Sequence, residues 1–339
     1  MLEDAELCYL LVFPDPVPER ALPDETIKGL KDAPYFQPVD VRVLTLGQEQ
    51  LTLDGVAVTL LSQRFDSRVR VVEAHFRLPG ALTAPAIQQR DRVRMLLQKM
   101  LLPESARSAG LFEEYVILCT QSAEPTSDEF VDQNAQELAR FIRSQHEVLD
   151  QPEIDEILSA RVRYSRQDLT LVDWEGALIV APQGNYQSDI ELFKIGNYQL
   201  LRYRMLDRSI EQDLSGLNRE FHADRRRSLF GPTRGSLRRI ISRRLELMID
   251  FERTDQNLLL IGDWYSARLY HVIQDQFYLD TWKETVKAKL DNLESIARSI
   301  QENFSVTWSG FLEAVQLAGW ILLLVGYFIL FFIEFRAVR

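Results

Sequence analysis

The stretch AVQLAGWILLLVGYFILFFI, from Ala314 to Ile333, is apolar along nearly its whole length. Gln316 is its only strongly polar side chain. Twenty helical residues rise about 30 Å, which is the thickness of the hydrocarbon core of a bilayer. A helix in a soluble core is rarely apolar on every side over such a length. The stretch therefore predicts one transmembrane helix over residues 311–335, followed by a tail of residues 336–339.

The side of the membrane is indicated by the rest of the chain. Arg336 and Arg339 favour a cytosolic tail, because positively charged residues accumulate on that side. However, nothing upstream has the basic n-region of a secretory signal that could export the long body. Two cysteines, Cys8 and Cys119, are too few for a disulfide framework and fit a reducing compartment. We expect a tail-anchored, single-pass protein of an inner (cytoplasmic) membrane, with its soluble body in the cytosol.

A seam of apolar residues leads into the predicted transmembrane helix. Its members alternate in steps of four and three, which is the a/d spacing of supercoiled helices. They are Val286, Leu290, Leu293, Ala297, Ile300, Phe304, Thr307, Phe311, Ala314 and Ala318. Small residues recur on one face at Gly310, Ala314, Ala318 and Gly326, and such faces let membrane helices approach closely. The seam packs on a neighbouring helix of the same chain, on another copy as an oligomerisation surface, or on both.

Strand signals fill the first part of the chain, and helical periodicity fills the rest. Strands are indicated at Leu7 to Phe13, Val69 to Leu78 and Tyr115 to Thr120, and a hairpin at Asp54-Gly55. A second hairpin is indicated around Glu175-Gly176, after which the spacing becomes helical. The predicted fold class is an α+β soluble body with a mixed or antiparallel sheet and flanking helices, followed by an antiparallel helical stalk and one C-terminal transmembrane helix.

The predicted domains follow the same signals. Residues 1–110 are expected to form an N-terminal β-rich domain, residues 111–188 an α+β domain, and residues 189–310 a helical, coiled-coil stalk. The membrane helix and the tail complete the chain.

Charge restricts the partners of the body. The formal net charge is −11, so DNA is not expected as a partner, because nucleic-acid binding needs a basic face. A cluster of arginines nevertheless occurs at Arg225, Arg226, Arg227, Arg234, Arg238, Arg239, Arg243 and Arg244. These arginines could pair with nearby acids, dock onto the acidic body of the same or another subunit, contact anionic lipids, or bind a nucleotide or RNA phosphate. They are therefore candidates for docking a partner or an anion.

Candidate chemistry is confined to the second predicted hairpin. Asp173 and Glu175 flank Trp174, and residues two apart on a strand point to one face, as paired acids or cation ligands would. The same acids also suit a turn. The four histidines show no i,i+4 pairing, and no phosphate-binding or nucleophile motif occurs. The sequence therefore assigns no catalytic residue, no cofactor and no metal site.

Three segments resemble a known family. They are LTLVDWEGALIV from Leu169 to Val180, NYQLLRYRMLD from Asn197 to Asp207, and GDWYSARLY from Gly262 to Tyr270, the last followed by Trp282 and Lys289. In these segments, which lie in the second half of the chain, the sequence is similar to bacterial relatives of the Required-for-Meiotic-nuclear-Division family. The resemblance implies an oligomeric protein with an α/β body, a helical hairpin and a C-terminal membrane anchor that organises or supports a membrane-bound process. It implies no catalytic residue.

These observations favour a non-enzymatic, tail-anchored and self-associating protein whose cytosolic body recruits or organises protein partners at the membrane. One alternative is a homo-oligomeric pore or ion-conducting effector, for which Gln316 is the polar candidate. A further alternative is a membrane-tethered enzyme that uses Asp173 and Glu175.

Overall fold

The computed structural model of the chain describes residues 5–16, 42–121, 126–145, 147–227, 242, 245–252 and 264–337. The chain divides into two compact units. The first comprises Met1–Asp207 and Phe251–Val286, and the second comprises Arg208–Asp250 and Lys287–Arg339. The predicted division into residues 1–110, 111–188 and 189–310 stays a prediction.

The described strands form one mixed sheet in the first unit. They are β1 (Glu6–Pro14), β2 (Val43–Leu53), β3 (Val56–Phe65), β4 (Val69–Arg77), β5 (Glu113–Thr120), β6 (Arg161–Val162), β7 (Leu169–Val172) and β8 (Gly176–Val180). Their order across the sheet is β2-β3-β4-β1-β5-β8-β7-β6. All neighbouring pairs are antiparallel except β5 and β8, which are parallel.

Helices connect and follow these strands. They are α1 (Ala84–Leu101), α2 (Glu104–Ala109), α3 (Ser127–Gln133), α4 (Ala135–Ile142), α5 (Gln151–Ile157), α6 (Gln187–Arg227), α7 (Trp264–Gln276) and α8 (Leu279–Ala337), and residues 245–252 are also helical. Pro85 lies in the first turn of α1, where its missing N–H costs nothing. Thr126 caps α3 by accepting a hydrogen bond from the backbone N–H of Glu129.

The middle of the sheet is covered on both faces, and this explains the unbroken apolar run of β1. Residues from Leu7 to Phe13 are at most 1% exposed. On one face, alternate residues such as Leu7 and Leu11 join a core with α1, α3, α4 and α5. On the other face, the ring of Tyr115 stacks on Phe193 of α6, with the ring centroids 5.1 Å apart. A strand covered on both sides needs apolar residues at every position, not only at alternate ones.

Two tight features fix the hairpins. Asp54 and Gly55 both have positive φ, at 49° and 77°, as the predicted β2–β3 turn requires. Gly176 begins β8 beside Val116 of β5, and a Cβ at this glycine would lie 2.9 Å from the Val116 carbonyl oxygen. The close parallel pairing of β5 and β8 at this point therefore requires glycine.

The C-terminal helix contradicts part of the prediction. Within the part of the chain that the structure describes, no helix is both long and apolar enough to cross a membrane. The prediction of a transmembrane helix over residues 311–335 is therefore wrong, as are the tail anchor and the inner-membrane location.

The predicted fold class is corrected in the same way. It ended in a transmembrane helix, which the described residues do not contain. The structure instead supports a mixed α+β fold with an eight-stranded sheet and flanking helices in its described part.

Candidate functional site

Asp173, one of the two predicted acids, is committed to the turn between β7 and β8. Its carboxylate is buried and lies 2.9 Å from Nε of Arg143 through Oδ2, and it also accepts a hydrogen bond from the backbone N–H of Glu175. Burial raises the pKa of Asp173, and the charge of Arg143 opposes this shift. The carboxylate therefore holds the hairpin to the end of α4.

Glu175, the second acid, faces a cleft of about 190 Å³. The cleft is lined by Arg94, Glu113, Glu114, Ser144, Trp174, Glu175, Asn197, Leu200 and Phe277. Burial raises the pKa of Glu175. The two predicted acids thus share the charge of Arg143, but Glu175 lines the cleft, whereas Asp173 holds the turn.

Glu113, the first residue of β5, is the acid in this cleft that the sequence did not single out. Burial raises its pKa to about 7, although Arg204 on α6 forms an ion pair with it and lowers that pKa. The neighbouring Glu114 instead accepts a hydrogen bond of 2.5 Å from the hydroxyl of Tyr9. The signal in the sequence was the pair Glu113-Glu114 directly before the apolar run from Tyr115 to Thr120. A carboxyl group with this pKa can take up or release a proton near neutral pH.

Aromatic side chains form the edge of the cleft. Trp174 is 39% exposed, and its ring lies 6.1 Å from that of Phe277 and 5.8 Å from that of Tyr278. Tyr278 has a positive φ of 51°, an unusual backbone conformation for a non-glycine residue. The cleft therefore combines titratable carboxyl groups with an accessible indole ring.

A second group of charged side chains lies on the face of the sheet that α6 covers. His75 of β4 contacts Glu6 through Nδ1 at 2.7 Å and Glu73 through Nε2 at 2.6 Å. Lys194 of α6 donates hydrogen bonds to Glu73 at 2.8 Å and to Glu191 at 2.7 Å. Negative and positive groups therefore alternate from the surface into the interior.

The pKa values follow from these contacts. Burial alone would raise the pKa of Glu73, but His75 and Lys194 outweigh it and hold that pKa at about 2. Burial would lower the pKa of His75, but hydrogen bonds to Cys8, Glu6 and Glu73 raise it to about 12. Burial raises the pKa of the Cys8 thiol.

This group was not predictable from local sequence patterns, because its members are far apart in the chain. The histidines looked scattered, since spacing along the sequence does not show that β1 pairs with β4. A local signal was present in Glu73 and His75, which are two apart in a strand and therefore share a face.

The structure separates the predicted oligomerisation residues into three groups. Val286, Leu290 and Leu293 are buried within the single chain. Ala318 is exposed, Gly326 is half-buried, and Gln316 of the pore hypothesis is exposed. The side chains of the rest lie outside the described residues, and these are Ala297, Ile300, Phe304, Gly310, Phe311 and Ala314. An oligomeric role for the set stays a prediction.

The predicted arginine cluster lies outside the residues that the structure describes with their side chains. The side chains of Arg225, Arg226 and Arg227, at the end of α6, lie outside the described residues, as do Arg234, Arg238, Arg239, Arg243 and Arg244 as a whole.

Comparison with known proteins finds similarity in the N-terminal half. Residues 25–187 match a family described as "Uncharacterized protein MJ0711, N-terminal domain". The "Uncharacterized protein MJ0711" of Methanocaldococcus jannaschii is 21% identical over 207 residues, which are 61% of this chain and 63% of that relative. The chain thus matches less than two thirds of the relative's length. No solved structure matches the chain.

These matches contradict the resemblance to the Required-for-Meiotic-nuclear-Division family, which rested on the second half of the chain. The family match covers residues 25–187, and the matched relative is an uncharacterised protein. The first quoted segment, from Leu169 to Val180, forms the two buried strands of the β7–β8 hairpin. Apolar residues at such positions follow from burial alone, so they are weak evidence of kinship.

Proposed function

We propose that this protein is a self-associating scaffold, in which α8 joins one copy to another and the α+β body binds protein partners. The observation that carries the proposal is the exposed apolar surface of α8 between Val315 and Leu330. Every large apolar side chain in this stretch is at least 49% exposed. This set is Val315, Leu317, Trp320, Ile321, Leu322, Leu323, Leu324, Val325, Tyr327, Phe328, Ile329 and Leu330.

The size of this surface supports association. Full burial of one large apolar side chain contributes about 1.5–3 kcal/mol. Contiguous exposed patches of such side chains mark surfaces that bind something else. A helix with twelve of them therefore gains strongly from contact with an apolar partner.

Two features favour a second copy of α8 as that partner. Residues 315–330 contain no charged side chain, so two identical helices do not repel each other there. Gly319 and Gly326 have nothing within 4 Å of the position that a Cβ would occupy. These glycines are one heptad apart and differ by only about 20° around the helix, so they share a face. A face present on every copy can form a self-complementary contact.

The test is the mass of the full chain in a mild detergent, which competes with non-specific apolar contacts. We expect light scattering, corrected for bound detergent, to give a dimer or a larger assembly at micromolar concentration. Gly319→Leu combined with Gly326→Leu should yield monomers, because the added side chains hold the two backbones apart. Both changes raise helix propensity, so the helix itself is not weakened.

A matched control adds bulk on the other side of α8. Ile321→Phe combined with Val325→Phe should leave the assembly intact. A wild-type chain that is monomeric in detergent, so that detergent alone covers α8, would overturn the proposal. Equal dissociation in the control pair would also overturn it, because the glycine face would then have no special role.

A further inference from the structure

Strands β1 and β4 bring together three potential metal ligands, Cys8, Glu73 and His75. Cys8 lies directly opposite His75 in the antiparallel register of β1 and β4. Glu73 precedes His75 by two residues and therefore points to the same face. One ligand atom from each residue lies within 4.8 Å of the others. This grouping is independent of the exposed surface of α8.

The surrounding side chains hold these ligands in place. Glu6 lies 2.7 Å from Nδ1 of His75, which leaves Nε2 on the side of Glu73. Lys194 donates to Oε2 of Glu73 at 2.8 Å, and Gln187 donates to Oε1 at 3.2 Å, so that Oε1 lies 2.6 Å from Nε2 of the imidazole. A carboxylate on the outer nitrogen of a histidine ligand is a recurrent feature of metal sites, because it fixes the ring and its tautomer.

We propose that Cys8, Glu73 and His75 bind a divalent transition-metal ion of the zinc class. A thiolate, an imidazole nitrogen and a carboxylate oxygen are the three donor types that zinc takes in proteins. Three protein ligands leave one position for water or for another ligand. Glu6 is the positioning residue for His75. The side chains of His75 and Glu6 are 24% and 27% exposed, so the ion can enter from their side of the cluster.

The charge of the bound metal ion is balanced by the release of protons from its ligands. The ligating forms are the thiolate of Cys8 and the neutral imidazole of His75, so binding of one dication releases two protons. One proton leaves the thiol and the other leaves Nε2 of the imidazolium. The net charge of the buried cluster is therefore the same before and after binding. Burial of the ion consequently adds no uncompensated charge, which would be costly in the interior.

The test uses the purified full chain after removal of metal with a chelator. Titration with Zn²⁺ should give one equivalent bound per chain. Co²⁺ at the same site should give the near-ultraviolet charge-transfer band of a thiolate ligand. Cys8→Ser should abolish that band, and Glu6→Gln should weaken Zn²⁺ binding by about 10- to 100-fold.

Two matched controls keep the test specific. Cys119→Ser removes the other buried thiol, and His271→Gln removes a histidine on α7 that lies 3.7 Å from Asp275. Both controls should retain one equivalent of Zn²⁺ and the cobalt band. The Zn²⁺ binding and the cobalt band of the wild-type chain can be measured whether or not any variant folds. If the wild-type chain binds no stoichiometric Zn²⁺ or gives no thiolate band, the cluster is an ion-pair network only. Loss of binding in Cys119→Ser would overturn the assigned ligands.

Discussion

Lys194 and Glu73 form an ion pair from which water is excluded, with side chains that are 0% and 2% exposed. Lys194→Met would leave the carboxylate of Glu73 buried with one cationic partner fewer. Loss of one member of a buried pair costs about 3–5 kcal/mol, because the remaining charge is not fully compensated. We expect a decrease of this size in the free energy of unfolding, measured by urea denaturation with tryptophan fluorescence.

The control for this prediction is an exposed ion pair in the same unit. Arg92 lies 2.8 Å from Asp54 at the surface, and Arg92→Met should cost about 0–1 kcal/mol. Equal losses in the two variants would show that burial of the Lys194 pair has no energetic consequence.

Glu113 gives the stability of the protein a specific pH dependence. Burial raises its pKa from the ordinary 4.5 to about 7. Between these values the unfolded chain has released the proton while the folded chain still holds it. The free energy of unfolding should therefore fall as the pH rises from about 4.5 to about 7, by roughly 3 kcal/mol from this group.

Glu113→Gln isolates this contribution. The variant cannot ionise, so its stability should vary less than that of the wild type across the same pH range. Urea denaturation at several pH values measures the difference, in which shared groups such as His75 cancel. Parallel stability profiles for the two chains would contradict the prediction.

Among single residues, sequence patterns indicated those that are close in the chain and did not indicate those that are close only in space. Asp173 and Glu175 were noticed because they flank a tryptophan, and the hairpin that they suggested is present. Their different roles depend on Arg143 and on the cleft, which no local pattern reveals. Glu73, His75 and Lys194 were missed because β4 and α6 are separated by more than one hundred residues.

Helix α6 packs so closely on α7 that one of its glycines cannot carry a side chain without movement. A Cβ at Gly196 would lie 2.6 Å from Cγ2 of Ile273. We expect Gly196→Ala to destabilise the protein by about 1–3 kcal/mol, because overpacking outweighs the higher helix propensity of alanine. Thermal or urea unfolding measures this change.

The same helix supplies the control for this substitution. Gly216 of α6 has nothing within 4 Å of a built Cβ. Gly216→Ala should therefore stabilise the helix by about 0.5–1 kcal/mol through propensity alone. The same substitution should thus change the free energy of unfolding in opposite directions at Gly196 and Gly216. A stabilising Gly196→Ala would contradict the packing argument.

Elements were predictable where a short stretch of sequence determines them. The structure contains two such local features, the strand before Pro14 and the turn at Asp54-Gly55. The apolar stretch of α8 was wrongly predicted to span a membrane, because apolarity alone does not identify what kind of surface the helix contacts. A lipid bilayer and another protein helix both select the same side chains.

The whole molecule should exchange its amide hydrogens in a pattern set by the sheet order. β1 and β5 lie inside the sheet with both edges paired, whereas β2 lies at one end of the order and is largely exposed. We expect the slowest hydrogen exchange in β1 and β5, because their amides open only with the whole unit. Mass spectrometry of the peptides from each strand measures this, and faster exchange in β1 than in β2 would contradict the topology.

The order of the strands could not be derived from the sequence. Hairpins place β2, β3 and β4 side by side, but nothing local indicates that β4 pairs with β1. The parallel pairing of β5 with β8 depends on a long connection through α3, α4, α5, β6 and β7, which returns the chain to the edge of β5. Such pairings are decided by the fit of buried surfaces between distant segments.

The central position of β1 has a consequence during synthesis on the ribosome. This strand is made first among the described strands, yet its neighbours end at Arg77 and Thr120. Elongation from Pro14 to Arg77 takes roughly 3–13 seconds at 5–20 residues per second. Over that interval the apolar strand β1 has no completed native partner strand. We therefore expect the nascent chain to bind chaperones that hold extended peptides.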